Sequence, residues 1–350
     1  MISYPETEQF RQAITKVTRN TRRLEEDRDK VLPVLKFIGT VKLHGSNAAI
    51  GYHKDSGHWF QSRNNVLTPQ KDNAGFAQYM EPLADQLFND YVLPASETIR
   101  EKYEQGQKII IYGEWCGGNI QKNVAIVGLP KMFVIFKIKI RDETIIVTEN
   151  EGEDENEAAL KNSIWLDPKE WTNIKWHDKL IYNIFDFPIY EIEIDFESPK
   201  LSQNKLIEIT QEVERQCPVG KYFNQTGIGE GVVWTEWAQT HGSLTFKVKG
   251  EEHSVSKVKT LAPVDTEKLE SIKEFIEYAC TENRMRQGLD YLREQQLTIE
   301  MKNVGTFIKW LVNDIIKEEK DTMNASNIDE KDVSRAVPNK AKPWFQQQLI

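Results

Sequence analysis

The chain has 350 residues, of which 39% are hydrophobic and 28% are charged, and its formal net charge is −9. It contains no run of about 18 apolar residues and starts with a polar, charged segment, so we expect neither a membrane-spanning helix nor a secretory signal. The three cysteines are widely spaced and odd in number. They argue against a disulfide framework or a cysteine metal site and favour a soluble protein of a reducing cytoplasm, the host cytoplasm if the source is viral.

The first predicted strands flank a short turn that begins with Lys42. Apolar and β-branched residues precede the turn from Leu35 to Val41 and follow it from Ala48 to Tyr52, which predicts two strands. Gly45 would let the backbone turn closely past a ligand. A lysine at a strand end can act as a covalent nucleophile once its amine has lost its proton. The alternative is a surface lysine before a hairpin turn.

Further along the chain, strands and helices do not alternate in a regular order. The absence of a repeated strand–helix–strand unit predicts an α+β fold with antiparallel sheets. The predicted strand-rich stretches are 35–65, 108–148 (which includes Thr144–Val147), 186–197 and 230–250, and the predicted helical stretches are Ala74–Leu93 and Ser202–Arg215.

Two lysines near the end of this region share one side of a strand. Lys247 and Lys249 are separated by one residue, so their ammonium groups should point to the same face of the sheet. Two cations placed in this way can contact a phosphate. The alternative is an exposed strand face.

The pattern becomes helical after Leu261–Pro263. Asp265 or Thr266 can cap a helix whose apolar residues, from Leu269 to Ala279, recur at helical spacing. A second helix carries an amphipathic stripe from Val304 to Ile316. We therefore predict two domains, a mixed domain over residues 1–260 and a small all-helical domain over residues 261–350.

The negative net charge does not exclude a nucleic-acid partner, because the charges are unevenly distributed. Acidic residues collect in 149–157 and 191–197, whereas basic residues collect in 11–23 and again at Lys247, Lys249, Lys257 and Lys259. Phosphate binding depends on the local field of a groove more than on the total charge. The acidic runs are most simply solvated loops and strand faces.

Several strand ends resemble, in the same order, the motifs of the covalent nucleotidyltransferases, the superfamily of polynucleotide ligases and mRNA capping enzymes. Lys42–Gly45 resembles the first motif, K-x-[DH]-G, and Lys247–Lys249 resembles the last, K-x-K. Between them, the segments that resemble the remaining motifs are Phe60–Arg63, Ile111–Trp115, Phe133–Phe136 and Glu230–Trp234.

Within the superfamily, the chain looks most like the RNA ligase 2 family, which includes phage nick-sealing RNA ligases and RNA-editing ligases. Its His44 and the following Gly-Ser-Asn resemble that family's K-x-H-G-[TS]-N, and Gly118–Val124 resembles G-x-I-Q-K-N-V. DNA ligases and capping enzymes place a β-barrel after K-x-K, whereas this chain turns helical. Residues 150–215 do not resemble the family. The resemblance implies an antiparallel-sheet adenylyltransferase domain followed by a helical domain.

The resemblance implies an ATP-dependent RNA ligase that uses Mg²⁺ or Mn²⁺. Lys42 would attack ATP and form a lysyl-AMP intermediate. AMP would then pass to the 5′-phosphate of an RNA end, and the 3′-hydroxyl across the nick would displace it. Each step is an in-line displacement at phosphorus, so positioning and charge neutralisation carry the catalysis.

The resemblance also assigns roles to individual residues. Glu114 would accept a hydrogen bond from the ribose, and Glu230 would order the hydration shell of the metal; either could instead be a strand-end surface residue. Phe136 would stack on adenine, although a buried strand phenylalanine is the ordinary alternative. The catalytic set is Lys42, Glu230, Lys247 and Lys249. The nucleotide-binding set is Lys42, His44, Asn47, Arg63, Glu114, Phe136, Lys247 and Lys249.

The expected partner is nicked duplex RNA, or RNA ends bridged by a complementary strand, bound by a monomeric enzyme without a membrane. Ser46, Arg284 and Arg286 are candidates for RNA contact, and the alternative for the two arginines is a solvated helix surface. A non-catalytic relative that binds RNA ends remains an alternative function. A DNA ligase or guanylyltransferase of the same superfamily is the other.

Overall fold

A computed structural model describes residues 1–72, 74–142, 162–253 and 272–349, and these contain two β-sheets. The strands are β1 (Glu8–Gln9), β2 (Val34–Lys42), β3 (Ser46–His53), β4 (Gly57–Ser62), β5 (Val66–Leu67), β6 (Lys108–Cys116), β7 (Met132–Arg141), β8 (Ser163–Trp165), β9 (Ile181–Asn183), β10 (Ile189–Asp195), β11 (Gly231–Glu236) and β12 (Leu244–Lys249). The first sheet has the order β1-β12-β11-β2-β10 and the second β5-β4-β3-β6-β7-β8, with β9 beside β7. The pairs β1–β12 and β7–β9 are parallel and the other pairs are antiparallel.

Helices surround the sheets and form the C-terminal part of the chain. They are α1 (Phe10–Thr21), α2 (Phe76–Met80), α3 (Ala84–Leu87), α4 (Glu97–Glu104), α5 (Lys200–Arg215), α6 (Pro218–Tyr222), α7 (Ile272–Ala279), α8 (Glu282–Glu294), α9 (Val304–Glu318), α10 (Lys320–Ala325) and α11 (Glu330–Gln347). A π-helical turn over Phe88–Val92 follows α3. The α+β fold with a helical C-terminal region is the one predicted.

The turn after Lys42 connects the two sheets. Strand β2 pairs with β10 and β11, whereas β3 pairs with β4 and β6. Residues 43–45 therefore cross from one sheet to the other, and the hairpin considered from the sequence does not form. This crossing places Lys42 where the two sheets meet.

Two large hydrophobic clusters and one small cluster stabilise the described chain. The larger lies between the sheets and the helices of the first 250 residues, with fully buried Phe37, Trp115 and Trp234 among its members. The other lies among α7, α8, α9 and α11, with fully buried Leu311 and Phe345 among its members. Each part of the chain therefore has apolar side chains of its own to bury.

The predicted helices occur with one interruption. The stretch Ala74–Leu93 is divided, because α2 ends at Met80 and Pro82 has no N–H to continue the helix. The predicted Ser202–Arg215 lies within α5, and the apolar stripe from Val304 to Ile316 lies within α9. None of the helices in the described ranges has the length and apolar character that a membrane span needs. All three cysteines are buried and unpaired.

Some predictions fall outside the described residues. They concern the strand Thr144–Val147, the acidic run 149–157, the lysines Lys257 and Lys259, the change of pattern at Leu261–Pro263, the helix cap at Asp265 or Thr266, and the domain boundary between residues 260 and 261. The two-domain division therefore stays a prediction.

Candidate active site

The ends of three neighbouring strands of the first sheet, β2, β11 and β12, bring together Lys42, Glu230 and Lys249. Gly231 of β11 lies opposite Lys42 of β2 on one side and opposite Lys249 of β12 on the other. Its φ of 150° and the 2.1 Å that would separate an added Cβ from the carbonyl oxygen of Val248 leave no room for a side chain. The close approach of the three strands thus brings two lysines to the carboxylate that precedes the glycine.

The Glu230 carboxylate is buried and surrounded by basic groups. Its Oε2 lies 2.7 Å from Nζ of Lys42 and 3.3 Å from Nδ1 of His44, and its Oε1 lies 3.0 Å from Nζ of Lys249. Burial alone would raise the pKa of Glu230, but Lys42 and Lys249 hold it well below its usual range. The carboxylate therefore stays ionised and orients the lysine amine.

Glu114 fixes the turn between the sheets. This residue of β6 lies opposite Asn47 of β3, and its Oε1 accepts a hydrogen bond from the Gly45 N–H at 2.9 Å. Burial raises the pKa of Glu114 to about 7, although Lys42 acts in the opposite direction. The carbonyl of Gly45 accepts a hydrogen bond from Nε2 of Gln121 at 3.2 Å, so the loop after β6 also holds the turn.

The predicted nucleotide-binding residues surround two neighbouring cavities. Both cavities reach Lys42, Asn47, Arg63, Glu114 and Lys249. The first also contains Phe136 and Lys247, and the second also contains His44 and Glu230. The described structure therefore brings together every residue of the predicted nucleotide-binding set, although its assignment to a nucleotide stays a prediction.

A β-bulge directs Phe136 toward the first cavity. Tyr112 of β6 pairs with Lys137 and the next residue, Gly113, pairs with Ile135, so Phe136 is left without a partner. An extra residue of this kind bends the strand and re-aims its side chain. The ring packs edge to face against the ring of Tyr4 at a centroid distance of 5.1 Å.

Tyr4 is a cavity residue that the sequence analysis missed. It lines the cavity beside Phe136 and is 8% exposed. The segment that carries it is fixed by the carbonyl of Ile2, which accepts hydrogen bonds at 2.7 Å from the Tyr112 hydroxyl and from Nε2 of Gln61. The alternation of Ile2 and Tyr4 ahead of the first helix was the available signal.

His253 is a second missed residue. Its ring lies 5.3 Å from that of His44, and burial lowers its pKa to about 4. A neutral imidazole therefore lies beside the basic groups around Glu230. Its sequence spacing from the other histidines gave no indication of this position, because the contact is made by folding.

Two of the three residues proposed for RNA contact are buried. Arg284 is fully buried, with its Nε 2.8 Å from Asp314 and its Nη2 3.0 Å from Glu319, so its assignment to RNA phosphates is wrong for this arrangement of the chain. Ser46 is 8% exposed at the start of β3 and offers an RNA strand little surface. Arg286 is 57% exposed and paired with Glu282. Of the three, Arg286 alone has the accessibility that RNA contact needs.

Carboxylates near the cavities bear on metal binding. Both oxygens of Glu230 are ion-paired, so a Mg²⁺ ion there would be held through water and phosphate oxygens, an arrangement that Mg²⁺ favours. Carboxylate oxygens of Glu6, Asp314 and Glu318 also lie within 4.8 Å of one another. These acids line the first cavity with Lys247, and Glu318 is already paired with that lysine.

Comparisons with known proteins identify one family. A sequence model described as RNA ligase matches residues 35–249. A Naegleria gruberi RNA ligase variant with ATP and Mn is 18% identical with a TM-score of 0.40, and another variant with AMP and Mn is 18% identical with a TM-score of 0.41. In both cases the alignment covers 72% of this chain and 56% of the other, so the chain spans little more than half the length of these proteins. No curated protein sequence matches the chain.

Proposed function

Because the family match spans more than half of its residues, the chain belongs to the RNA ligase family, and we propose that it is an ATP-dependent ligase that joins 3′-hydroxyl and 5′-phosphate RNA ends at nicks. One observation supports the proposal most strongly. Lys42 lies 2.7 Å from the buried carboxylate of Glu230 at a cavity that also contains Lys247, Lys249 and Arg63. A positioned amine among several cations suits nucleophilic attack on a phosphate.

In the first step, Nζ of Lys42 attacks the α-phosphorus of ATP. A phosphorus–nitrogen bond forms, the bond to the bridging oxygen breaks, and pyrophosphate leaves. The amine must first lose a proton to solvent, and the ionised Glu230 carboxylate, 2.7 Å away, accepts a hydrogen bond that orients the amine. Lys249 and Lys247 neutralise the charge that develops on the phosphate oxygens.

The next two steps pass AMP to RNA and then seal the nick. An oxygen of the RNA 5′-phosphate attacks the lysyl-AMP phosphorus, the phosphorus–nitrogen bond breaks, and A(5′)pp(5′)RNA forms. The 3′-hydroxyl across the nick then attacks the RNA 5′-phosphorus, loses its proton, and releases AMP. The first two displacements occur at the AMP phosphorus and the third at the RNA 5′-phosphorus joined to it, so one cluster of cations suits the negative charge that each of them builds.

Other cavity residues would hold the nucleotide. Glu114 would accept a hydrogen bond from the ribose, and the guanidinium of Arg63 suits ribose or phosphate oxygens. Phe136, re-aimed by its bulge, offers an aromatic face to adenine. His44 and Asn47 would orient the turn or contact phosphates. A bound Mg²⁺ or Mn²⁺ ion would neutralise phosphate charge, with Glu230 contacting its water molecules.

Two alternatives predict different results. A non-catalytic RNA-end-binding relative would have lost some of Lys42, Glu230, Lys247 and Lys249, yet all are present and clustered. A DNA ligase or guanylyltransferase would differ in the sugar or nucleotide that it uses.

We propose that the ligase acts as a monomer in the cytoplasm on nicked duplex or bridged RNA.

The test is sealing of four nicked duplexes that differ only in the sugar on each side of the nick. We expect ribose to be required at the 3′-hydroxyl side and a DNA 5′-phosphate strand to be tolerated. The 2′-hydroxyl distinguishes the two sugars and favours the A-form pucker that aligns the 3′-oxygen. Equal rates on all four duplexes, or a preference for the all-DNA nick, would favour a DNA ligase. Binding without any sealing would favour the non-catalytic relative.

A further inference from the structure

Lys247 has an acidic partner that comes from the C-terminal helices. Its Nζ lies 3.2 Å from Oε1 of Glu318, and the two side chains are 16% and 5% exposed. The other carboxylate oxygen of Glu318 accepts a hydrogen bond from Nε2 of Gln9. Burial lowers the pKa of Lys247, but Glu318, Glu6 and Asp314 together outweigh burial and the pKa is raised. A proposed phosphate-binding cation is therefore already neutralised by the chain itself.

The residue that follows Glu318 anchors this contact. Oε2 of Glu319 lies 3.0 Å from Nη2 of Arg11 in α1, and Oε1 lies 3.0 Å from Nη2 of Arg284 in α8. Arg11 also donates a hydrogen bond to the backbone carbonyl of Glu318. Glu319 and Arg284 are fully buried. The end of α9 is thus fixed against α1, and its carboxylate is held on Lys247.

Further acidic residues of the same helices line the cavities. Asp314 of α9 lines both cavities with Lys42, and Asp290 and Glu294 of α8 line the second cavity with Arg63. Burial raises the pKa of Glu294, an effect that Arg63 opposes. Carboxylates therefore share these cavities with the cations that the proposed function needs for phosphates.

We propose that the C-terminal helices form a substrate-mimicking cover, in which the Glu318 carboxylate holds the place on Lys247 that a nucleotide phosphate takes during catalysis. This inference rests on the proposed function, since it assumes that Lys247 binds phosphate. Carboxylate and phosphate oxygens both accept charge-assisted hydrogen bonds from an ammonium group, so they compete for it. The protein then has two states, the covered state with the Lys247–Glu318 pair and a phosphate-bound state in which the pair is broken.

The competition has a reciprocal consequence. If Glu318 weakens phosphate binding, bound phosphate must weaken the docking of the C-terminal helices by the same factor. Couplings of this kind typically change an affinity by roughly 5- to 150-fold. Nucleotide binding would therefore loosen the cover before RNA arrives and expose the cavity to an RNA end.

The first test is the binding of inorganic pyrophosphate to the full-length chain, measured by titration calorimetry. The proteins are the wild type, Glu318→Gln, and Glu330→Gln as a control on the exposed surface of α11. Glutamine keeps the size of Glu318 and removes its charge. We expect Glu318→Gln to bind pyrophosphate roughly tenfold more tightly than the wild type, and Glu330→Gln to match the wild type. Equal pyrophosphate affinities for all three proteins, or no binding by any of them, would overturn the proposed cover.

The second test is amide hydrogen exchange in α9 with and without pyrophosphate. Pyrophosphate should accelerate exchange in the wild type and have little effect on Glu318→Gln, whose pair is already broken. Unchanged or slower exchange in the wild type would overturn the inference. Labelling of Lys42 by ATP in the same preparations separates the two proposals. If ATP labels the protein but the pyrophosphate results are negative, the proposed cover is ruled out and the proposed ligase function stands. If ATP does not label the protein although pyrophosphate binds as expected, the proposed ligase function is ruled out.

Discussion

Two arginines of α8 that look equivalent in the sequence have opposite surroundings. Arg284 is fully buried between Asp314 and Glu319, whereas Arg286 is 57% exposed beside Glu282. A buried ion pair that loses one partner leaves an uncompensated charge. An exposed pair four residues apart on a helix contributes little.

The arginine pair gives the first prediction. Arg284→Met should lower the free energy of unfolding by about 3–5 kcal/mol, and Arg286→Met should change it by less than about 1 kcal/mol. Urea unfolding followed by circular dichroism measures both. Arg286→Met should instead weaken binding to nicked RNA at low salt. Similar stabilities for the two variants would contradict the burial of Arg284.

Lys137 makes stability depend on pH. Its Nζ donates hydrogen bonds to the carbonyl of Gly242 at 2.6 Å and to Oγ1 of Thr245 at 3.1 Å, and it lies 4.4 Å from the Trp165 ring centroid. Burial lowers the pKa of Lys137 to about 7, with a further contribution from Lys139. The unfolded chain keeps the proton up to about pH 10.4. Between these values the unfolded state binds more protons, so the contribution of Lys137 to stability rises with pH.

The second prediction compares the wild type with Lys137→Met across that window. Between pH 7 and pH 9, the free energy of unfolding of the wild type should rise relative to that of the variant by about 2 kcal/mol. Denaturant unfolding at several pH values measures the difference. The contradicting result is a difference in free energy of unfolding between the two proteins that is the same at every pH or changes in the opposite direction. Either result would show that the pKa of Lys137 is not lowered in the folded protein.

At the scale of single residues, local pattern predicts some of the site and misses the rest. Lys247 and Lys249 could be placed on one side of a strand because strand side chains alternate. Their different partners could not be predicted, since Lys249 meets Glu230 whereas Lys247 meets Glu318 of a later helix. Tyr4 was missed for the same reason, because chain folding brings it to Phe136.

At the scale of elements, the turn between β2 and β3 determines the position of Lys42. A Cβ at Gly45 would lie 2.5 Å from the carbonyl oxygen of Trp115 and 2.7 Å from Cβ of Cys116. The turn therefore fits closely against β6. Any side chain at this position must move either the turn or the strand.

The third prediction is that Gly45→Ala slows the formation of lysyl-AMP by roughly a hundredfold, because a displacement of about 1 Å can cost that much. Single-turnover labelling with ATP measures the rate. Gly128→Ala is the matched control, since a Cβ at Gly128 has no neighbour within 4 Å. Equal rates for the two variants would mean that the close fit of the turn does not matter for the chemistry.

Element types were more predictable than their boundaries and connections. The helical spacing of apolar residues identified α9, and the runs of β-branched residues identified β6 and β7. These patterns are informative because the apolar residues that they place on one face are the ones that the element buries. The bulge at Phe136 and the crossing between sheets left no such signal. The crossing depends on the pairing of β2 with β11, which is distant in sequence, and the bulge depends on the register between β6 and β7.

In the whole molecule, the two large hydrophobic clusters belong to different parts of the chain, and we expect these parts to have different functions. The predicted catalytic residues lie before residue 250, and the first cluster lies in the same part of the chain. The C-terminal helices have a cluster of their own. The contacts between the parts include buried ion pairs such as Arg11–Glu319.

The fourth prediction is that residues 1–260 alone become adenylylated but do not seal nicks efficiently. The truncated chain keeps the proposed nucleotide-binding residues and loses α8 with Arg286, the accessible candidate for RNA contact. Labelling with ATP and sealing of nicked RNA should be measured side by side with the full chain. Sealing by the truncated chain at the full rate would contradict this division, and loss of labelling in a folded truncated chain would make the C-terminal helices part of the first step.

Lys42 is the proposed nucleophile, and mapping the covalent adduct identifies the attacking residue. The protein is incubated with ATP and Mg²⁺, and the peptide that carries AMP is identified by mass spectrometry. We expect AMP on Lys42, no adduct in Lys42→Ala, and a normal adduct in Lys36→Ala, which removes a 56% exposed lysine from the same strand. An adduct that persists in folded Lys42→Ala, or that maps to another residue of the wild type, would show that Lys42 is not the nucleophile.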